Sequence, residues 1–68
     1  MKLSARNQLA GTVTEVNKGA AIANVAVDVG GQRIVSSITV EAADELGLAQ
    51  GSAVTVIVKA SDVILATG

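Results

Sequence analysis

This chain contains no cysteine, no histidine, and no phenylalanine, tyrosine or tryptophan. Without cysteine there are no disulfides, and with histidine also missing there is no sulfur or imidazole ligand for zinc. Without aromatic rings the largest core-building side chains are gone. The stacking platform that single-strand nucleic-acid binders rely on is gone with them. General acid–base and nucleophilic catalysis lose their commonest groups in the same stroke, so the sequence reads as a binding protein and not an enzyme. Basic charge is scarce as well. Five Lys and Arg stand against six Asp and Glu, for a formal net charge of −1. A chain of that balance has no basic stripe with which to displace counterions from nucleic acid. No apolar run approaches the roughly 20 residues of a membrane-spanning helix. The opening Met1-Lys2-Leu3-Ser4-Ala5-Arg6 has no hydrophobic core of the kind a signal peptide needs. The expectation is a single cytoplasmic domain over residues 1–68, without nucleic-acid or membrane partners.

What the chain does have is an excess of small apolar residues. Half of its 68 residues are hydrophobic, supplied mainly by Val, Ala and Ile. A domain this small buries only about 60% of the surface its unfolded chain exposes. Disulfides, a structural metal or oligomerisation usually make up the deficit. The first two are excluded by composition, and an apolar surplus left on a monomer would be an aggregation patch. Homo-oligomerisation is the remaining support.

Period-2 alternation governs most of the sequence and predicts strands. The first runs from Leu9 to Val16, with apolar character on both sets of alternating positions, as in a strand covered on two sides. Asn17-Lys18-Gly19-Ala20 supplies a turn in which Gly19 is free to take positive φ. A second strand, Ala21 to Val29, places Ala21, Ala23, Val25, Val27 and Val29 on one face. Gly30-Gly31 is a two-residue hairpin signal of the I′ or II′ kind. It lacks the spacing and following helix of a phosphate loop. The third strand, Gln32 to Val40, carries Ile34, Ser36 and Ile38 on one face. The period then changes. Glu41 to Gly47 reads as a short helix with Thr39 as its best N-cap and Gly47 at its end. Gln50-Gly51-Ser52 is a turn, and Ala53 to Lys59 a fourth strand with Val54, Val56 and Val58 aligned. Asp62 to Ala66 reads as a short fifth strand. The order β-β-β-α-β-β matches an all-β fold with one short helix, a five-stranded OB-like Greek-key barrel.

Two segments hold most of what grips an anion. They are Ser4-Ala5-Arg6-Asn7 and Lys59-Ala60-Ser61-Asp62. Each joins a cation, a hydroxyl and exposed backbone N–H groups near a strand end, the donor set a tetrahedral dianion requires. Arg6 and Lys59 as solubilising charges, with Ser61-Asp62 as a turn, account for the same residues. Lys18-Gly19-Ala20 could cradle an anion or only reverse the chain. Ser36 and Ser37 fit either hydroxyl donors or polar positions in an interface. Glu41 complements the helix macrodipole, and Asp44 and Glu45 read as solvated helix surface.

The stretches SARNQLAG at 4–11, SSITVEAADELGL at 36–48 and VTVIVKASDVILA at 54–66 resemble the molbindins, the Mop-type (TOBE/Mop) molybdenum-binding proteins, over the whole chain. The resemblance implies an OB-like barrel assembled as a homohexamer, a trimer of dimers. It implies molybdate and tungstate as ligands between subunits, intracellular molybdenum storage or homeostasis as the role, and no organic cofactor. By resemblance, Ser4, Ala5, Arg6 and Asn7 come from one subunit and Lys59, Ala60 and Ser61 from its neighbour. Ser4, Lys59 and Ser61 would use side chains, and Ala5, Arg6 and Ala60 backbone N–H groups. A second class of site near a three-fold axis would use Lys18, Gly19, Ala20 and Ser37. The same module occurs in molybdate-responsive regulators and transporter ATPases. The competing reading is therefore an anion-sensing interaction module without a storage role, and an appended domain or charged tail would favour it.

Overall fold

A computed structural model of the chain describes all 68 residues. Strand β1 spans Asn7–Lys18, β2 Ile22–Val29, β3 Gln32–Thr39 and β4 Ala53–Val58, with helix α1 at Val40–Glu45 between β3 and β4. They form one antiparallel sheet in the order β3-β2-β1-β4. Three hairpin-linked strands followed by a fourth that returns beside the first is a Greek key. The all-β class with one short helix is the class the alternation predicts.

Strand β1 organises the sheet. Its first half, Asn7 to Thr12, pairs with β4, and its second half, Thr12 to Lys18, pairs with β2. A bulge between Val13 and Glu15 separates the two registers. Thr14 is the extra residue, and its hydroxyl donates to the Ala26 carbonyl at 3.3 Å. A bulge bends a strand and increases its twist. It also reverses which residues face inward. Val13 opposes Val27, and beyond the bulge Val16 opposes Val25. The apolar character on both sets of positions in β1 thus reflects a change of phase at Thr14 and not a strand covered on two faces. Gly11, just before the bulge, allows the strands to close. A Cβ there would lie 2.6 Å from Val27 Cγ1 and 2.9 Å from the Asp28 carbonyl oxygen.

The turns follow from local chemistry. Gly30 and Gly31 both take positive φ, +56° and +87°, as a type I′ hairpin requires. Thr39 caps α1, its hydroxyl accepting from the Ala42 N–H at 3.0 Å. At the other end Gly47 N–H donates to Asp44 and Leu48 N–H to Ala43, with Gly47 at φ +62°, a Schellman arrangement. Gly19 differs from expectation: it is not among the residues with positive φ. Its small size matters because a Cβ would approach the Ile22 carbonyl oxygen to 3.1 Å.

The C-terminal segment also differs. Asp62 to Ala66 forms no strand, and the sheet has four strands. Ala60–Asp62 instead makes a turn of 3₁₀ helix, with Asp62 N–H donating to Lys59 and Val63 N–H to Ala60. That turn ends β4 at Val58 and leads the chain away from the sheet, so Val63-Ile64-Leu65 has no strand to pair with. Ile64 and Leu65 are 93% and 87% exposed.

The core is small. Only Val13, Ala23, Val25, Ala26, Val27 and Ala43 are buried. On the inner face of the sheet an open apolar hollow of about 200 Å³ is lined by Val25, Ile38, Leu46, Leu48, Val54 and Val56, among others. Leu46 on its rim is 69% exposed. A chain with this much uncovered apolar surface is short of the burial a stable monomer requires.

Candidate functional site

Asn7, the first residue of β1, is the antiparallel partner of Val58, the last residue of β4. The chain before Asn7 and the chain after Val58 therefore leave the sheet at the same corner. This register brings the two anion-friendly segments together within one protomer. Ser4, Ala5, Arg6, Lys59, Ala60, Ser61 and Asp62 line one open cleft together with Ile57. Gln8 anchors the leading segment, its side-chain amide donating to the Ala5 carbonyl at 2.9 Å. The 3₁₀ turn anchors the other. Its internal hydrogen bonds engage the N–H groups of Asp62 and Val63 and not those of Ala60 and Ser61.

The cleft collects two cations and two hydroxyls. Neither Arg6 nor Lys59 is ion-paired, since the molecule's one salt bridge lies elsewhere. Nor does either side chain spend its donors on a hydrogen bond within the chain. Unsatisfied charged donors beside free hydroxyls, in a recess open to solvent, can hold a small anion through charge-assisted hydrogen bonds. Asn7 is not part of the lining. It is half-buried in β1 opposite Val58.

The second set of residues is not gathered in the same way. Lys18 stands opposite Ala23, which stands opposite Ile38. Ser37 belongs to the neighbouring row, opposite Asn24 and through it Asn17. Side chains of adjacent rows point to opposite faces of a sheet. Lys18 thus turns toward the helix side and Ser37 toward the outer face, with Gly19 and Ala20 in the turn between β1 and β2. The Lys18 ammonium lies 2.6 Å from the Asp44 carboxylate on α1, both side chains being about half exposed. Asp44, read from the sequence as solvated helix surface, is therefore a partner for Lys18. No cluster of three or more Asp, Glu, His or Cys side chains is positioned to hold a bare cation. No helix is long and apolar enough to cross a membrane.

Comparison with known proteins bears directly on this geometry. The family model described as the TOBE domain matches residues 3–65. Molybdenum-pterin-binding protein 2 of Clostridium pasteurianum is 41% identical over 66 residues, covering 96% of this chain and 97% of the relative. The chain belongs to the TOBE-domain family, among its Mop-type members. Among solved structures, a molybdate-binding protein from Sporomusa ovata superposes with a TM-score of 0.93 at 37% identity, covering 98% of this chain and all of the other. The cytoplasmic molybdate-binding protein ModG, with molybdate bound, gives a TM-score of 0.90 at 46% identity, over 94% of this chain and 46% of that one. The OB-like architecture of the TOBE domain is shared with these neighbours.

Two residues of this TOBE domain's cleft region escaped the sequence reading. Gln8 gave no signal, because a glutamine in a strand carries no mark of whom it will bond. Ile57 belongs to an apolar strand and looked only like part of a core. Asp62 stood in the anion-friendly segment with Lys59 and Ser61, and read there as a turn residue or as the first residue of a strand. The register Asn7 to Val58 would have located Gln8 and Ile57, and a β1–β4 pairing cannot be read from one chain's periodicity.

Proposed function

We propose that this protein binds molybdate and tungstate in the cleft formed by Ser4, Ala5, Arg6, Lys59, Ala60 and Ser61, and that it serves intracellular molybdenum storage or homeostasis in the cytoplasm without catalysing a reaction. The observation that carries the reading is the meeting of two unpaired cations and two hydroxyls at the Asn7–Val58 corner. Relatives of near-identical length are named for molybdenum binding, and a molybdate-bound neighbour has the same fold. Ser4, Lys59 and Ser61 supply side-chain donors, and the N–H groups of Ala5, Arg6 and Ala60 complete the set. Backbone donors add directional positive potential without net charge, which is how an acidic protein can hold a dianion.

The functional unit is a homohexamer, a trimer of dimers, and the open side of each cleft is closed by a neighbouring subunit. Asn7, which does not line the cleft of its own chain, contributes through that assembly. The exposed Leu46, Ile64 and Leu65 and the open apolar hollow support this reading, since burying them between subunits supplies the stability a 68-residue chain lacks. Anion binding then stabilises the assembly, because only the folded complex presents the site. A weaker class of site uses Lys18, Gly19, Ala20 and Ser37 once several copies meet on an axis.

Isothermal titration with molybdate, tungstate, sulfate and phosphate, on protein whose mass is fixed by light scattering, tests the proposal. Binding of molybdate and tungstate by a hexamer, in preference to sulfate and phosphate, is the expected result. No heat with any of the four, or equal weak heats with all, would overturn it in favour of an interaction module.

A further inference from the structure

The cleft contains one group that an anion site does not need. Asp62 lines it beside Arg6 and Lys59. Its carboxylate makes no salt bridge and no hydrogen bond within the chain. The turn it belongs to is held by its backbone N–H, which donates to Lys59 at 2.9 Å, and not by its side chain. The carboxylate is therefore no structural brace. It is a free negative charge in a recess otherwise built of donors, and it reduces the lining from two positive charges to a net of one.

We infer that Asp62 sets the charge selectivity and the release of the bound oxyanion. The inference rests on the cleft being the oxyanion site. A carboxylate repels an anion in proportion to the anion's charge. Asp62 therefore penalises a dianion about twice as strongly, in free energy, as a monoanion of the same size. The cost keeps binding reversible. A cleft with two unopposed cations would hold its dianion more tightly and give it up more slowly, which suits sequestration but not exchange. Asp62 also remains an acceptor-only group while ionised. It offers nothing to molybdate or tungstate, which carry no proton near neutral pH, and accepts readily from the hydroxyl of a protonated phosphate. Discrimination against phosphate must therefore come from the size and donor geometry of the rest of the cleft.

The test is titration of the wild type, Asp62→Asn and Asp62→Glu with tungstate and with perrhenate, two tetrahedral oxyanions of similar size that differ by one charge. For Asp62→Asn, tungstate should tighten about five- to tenfold and perrhenate only about two- to threefold, the square root of the dianion's gain. Asp62→Glu restores the charge and should stay near the wild type for both. The gain should shrink in about 0.5 M salt, where charges more than a few ångströms apart are screened. Equal gains for the two anions would mean that the substitution changed space and not charge, and would overturn the inference. So would unchanged or weaker tungstate binding in Asp62→Asn. Wild-type protein that binds neither molybdate nor tungstate would instead remove the functional reading itself, so the two failures are distinguishable.

Discussion

The two ends of β1 each present a basic side chain beside a polar turn, and the fold treats them oppositely. At the start of the strand, Arg6 meets Lys59 across the β1–β4 corner and both ammonium and guanidinium stay unpaired. At the end of the strand, Lys18 reaches α1 and pairs with Asp44 at 2.6 Å. Local sequence is nearly equivalent: a cation, small residues and backbone donors at a strand terminus. What differs is the element the corner faces. The chain beyond β4 delivers a second cation, two free N–H groups and, in Asp62, a carboxylate that pairs with neither cation, while α1 delivers to the other end a carboxylate that does pair with Lys18. A cation becomes available to a ligand only where no carboxylate of the fold is placed to pair with it.

Removing a free cation should do most to make the two ends of β1 alike. Lys59→Ala should weaken molybdate binding by at least tenfold, since hydrogen bonds to charged groups are worth about 1.5–3 kcal/mol. The mass by light scattering should stay that of the wild type, and Ser61→Ala should weaken binding to a smaller degree. Unchanged affinity in both variants would move the site elsewhere. Next in size is Gly11→Ala, which forces a methyl against Val27 and the Asp28 carbonyl where the two halves of β1 meet. Overpacking of this kind costs about 1–3 kcal/mol, read as a lower midpoint in denaturant. Because β1 positions both corners, binding should fall along with stability. Thr39→Ala removes the cap of α1, the helix that carries Asp44, and should cost about 1 kcal/mol in the same measurement. The smallest effect belongs to Lys18→Ala. A half-exposed ion pair contributes about 0–1 kcal/mol, so stability should hardly move and affinity at the main cleft should not change. A tenfold loss there would erase the distinction between the two ends.

Much of this was legible because it is local. Gly30-Gly31 announced its hairpin, Thr39 its cap and Gly47 its helix end, and each depends on residues within a few positions. The alternation aligned Val25, Val27 and Val29 on one face of β2 and Val54, Val56 and Val58 on one face of β4, and all of these but Val58 belong to the core or pack against it. The bulge at Thr14 was not legible, because an apolar residue on both phases looks alike whether a strand is buried twice or changes face midway. The fifth strand failed for a different reason. Val63-Ile64-Leu65 has every local mark of a strand, but strand formation needs a partner edge, and the turn at Ala60–Asp62 takes the segment away from its own sheet. The anion-friendly segments were recognisable by residue type alone. Their convergence depended on the pairing of Asn7 with Val58, fifty-one positions apart. For the same reason Lys18 and Ser37, which look like companions in the sequence, fall in adjacent rows and on opposite faces.

Anomalous diffraction at the molybdenum edge, from crystals grown with molybdate, locates the oxyanion without reference to any variant. If the oxyanion sits at the corner of Ser4–Arg6 and Lys59–Ser61, the strongest peak lies within hydrogen-bonding distance of Ser4, Lys59 and Ser61. A strongest peak at the Lys18 turn, or none at the Asn7–Val58 corner, would show that the oxyanion sits elsewhere.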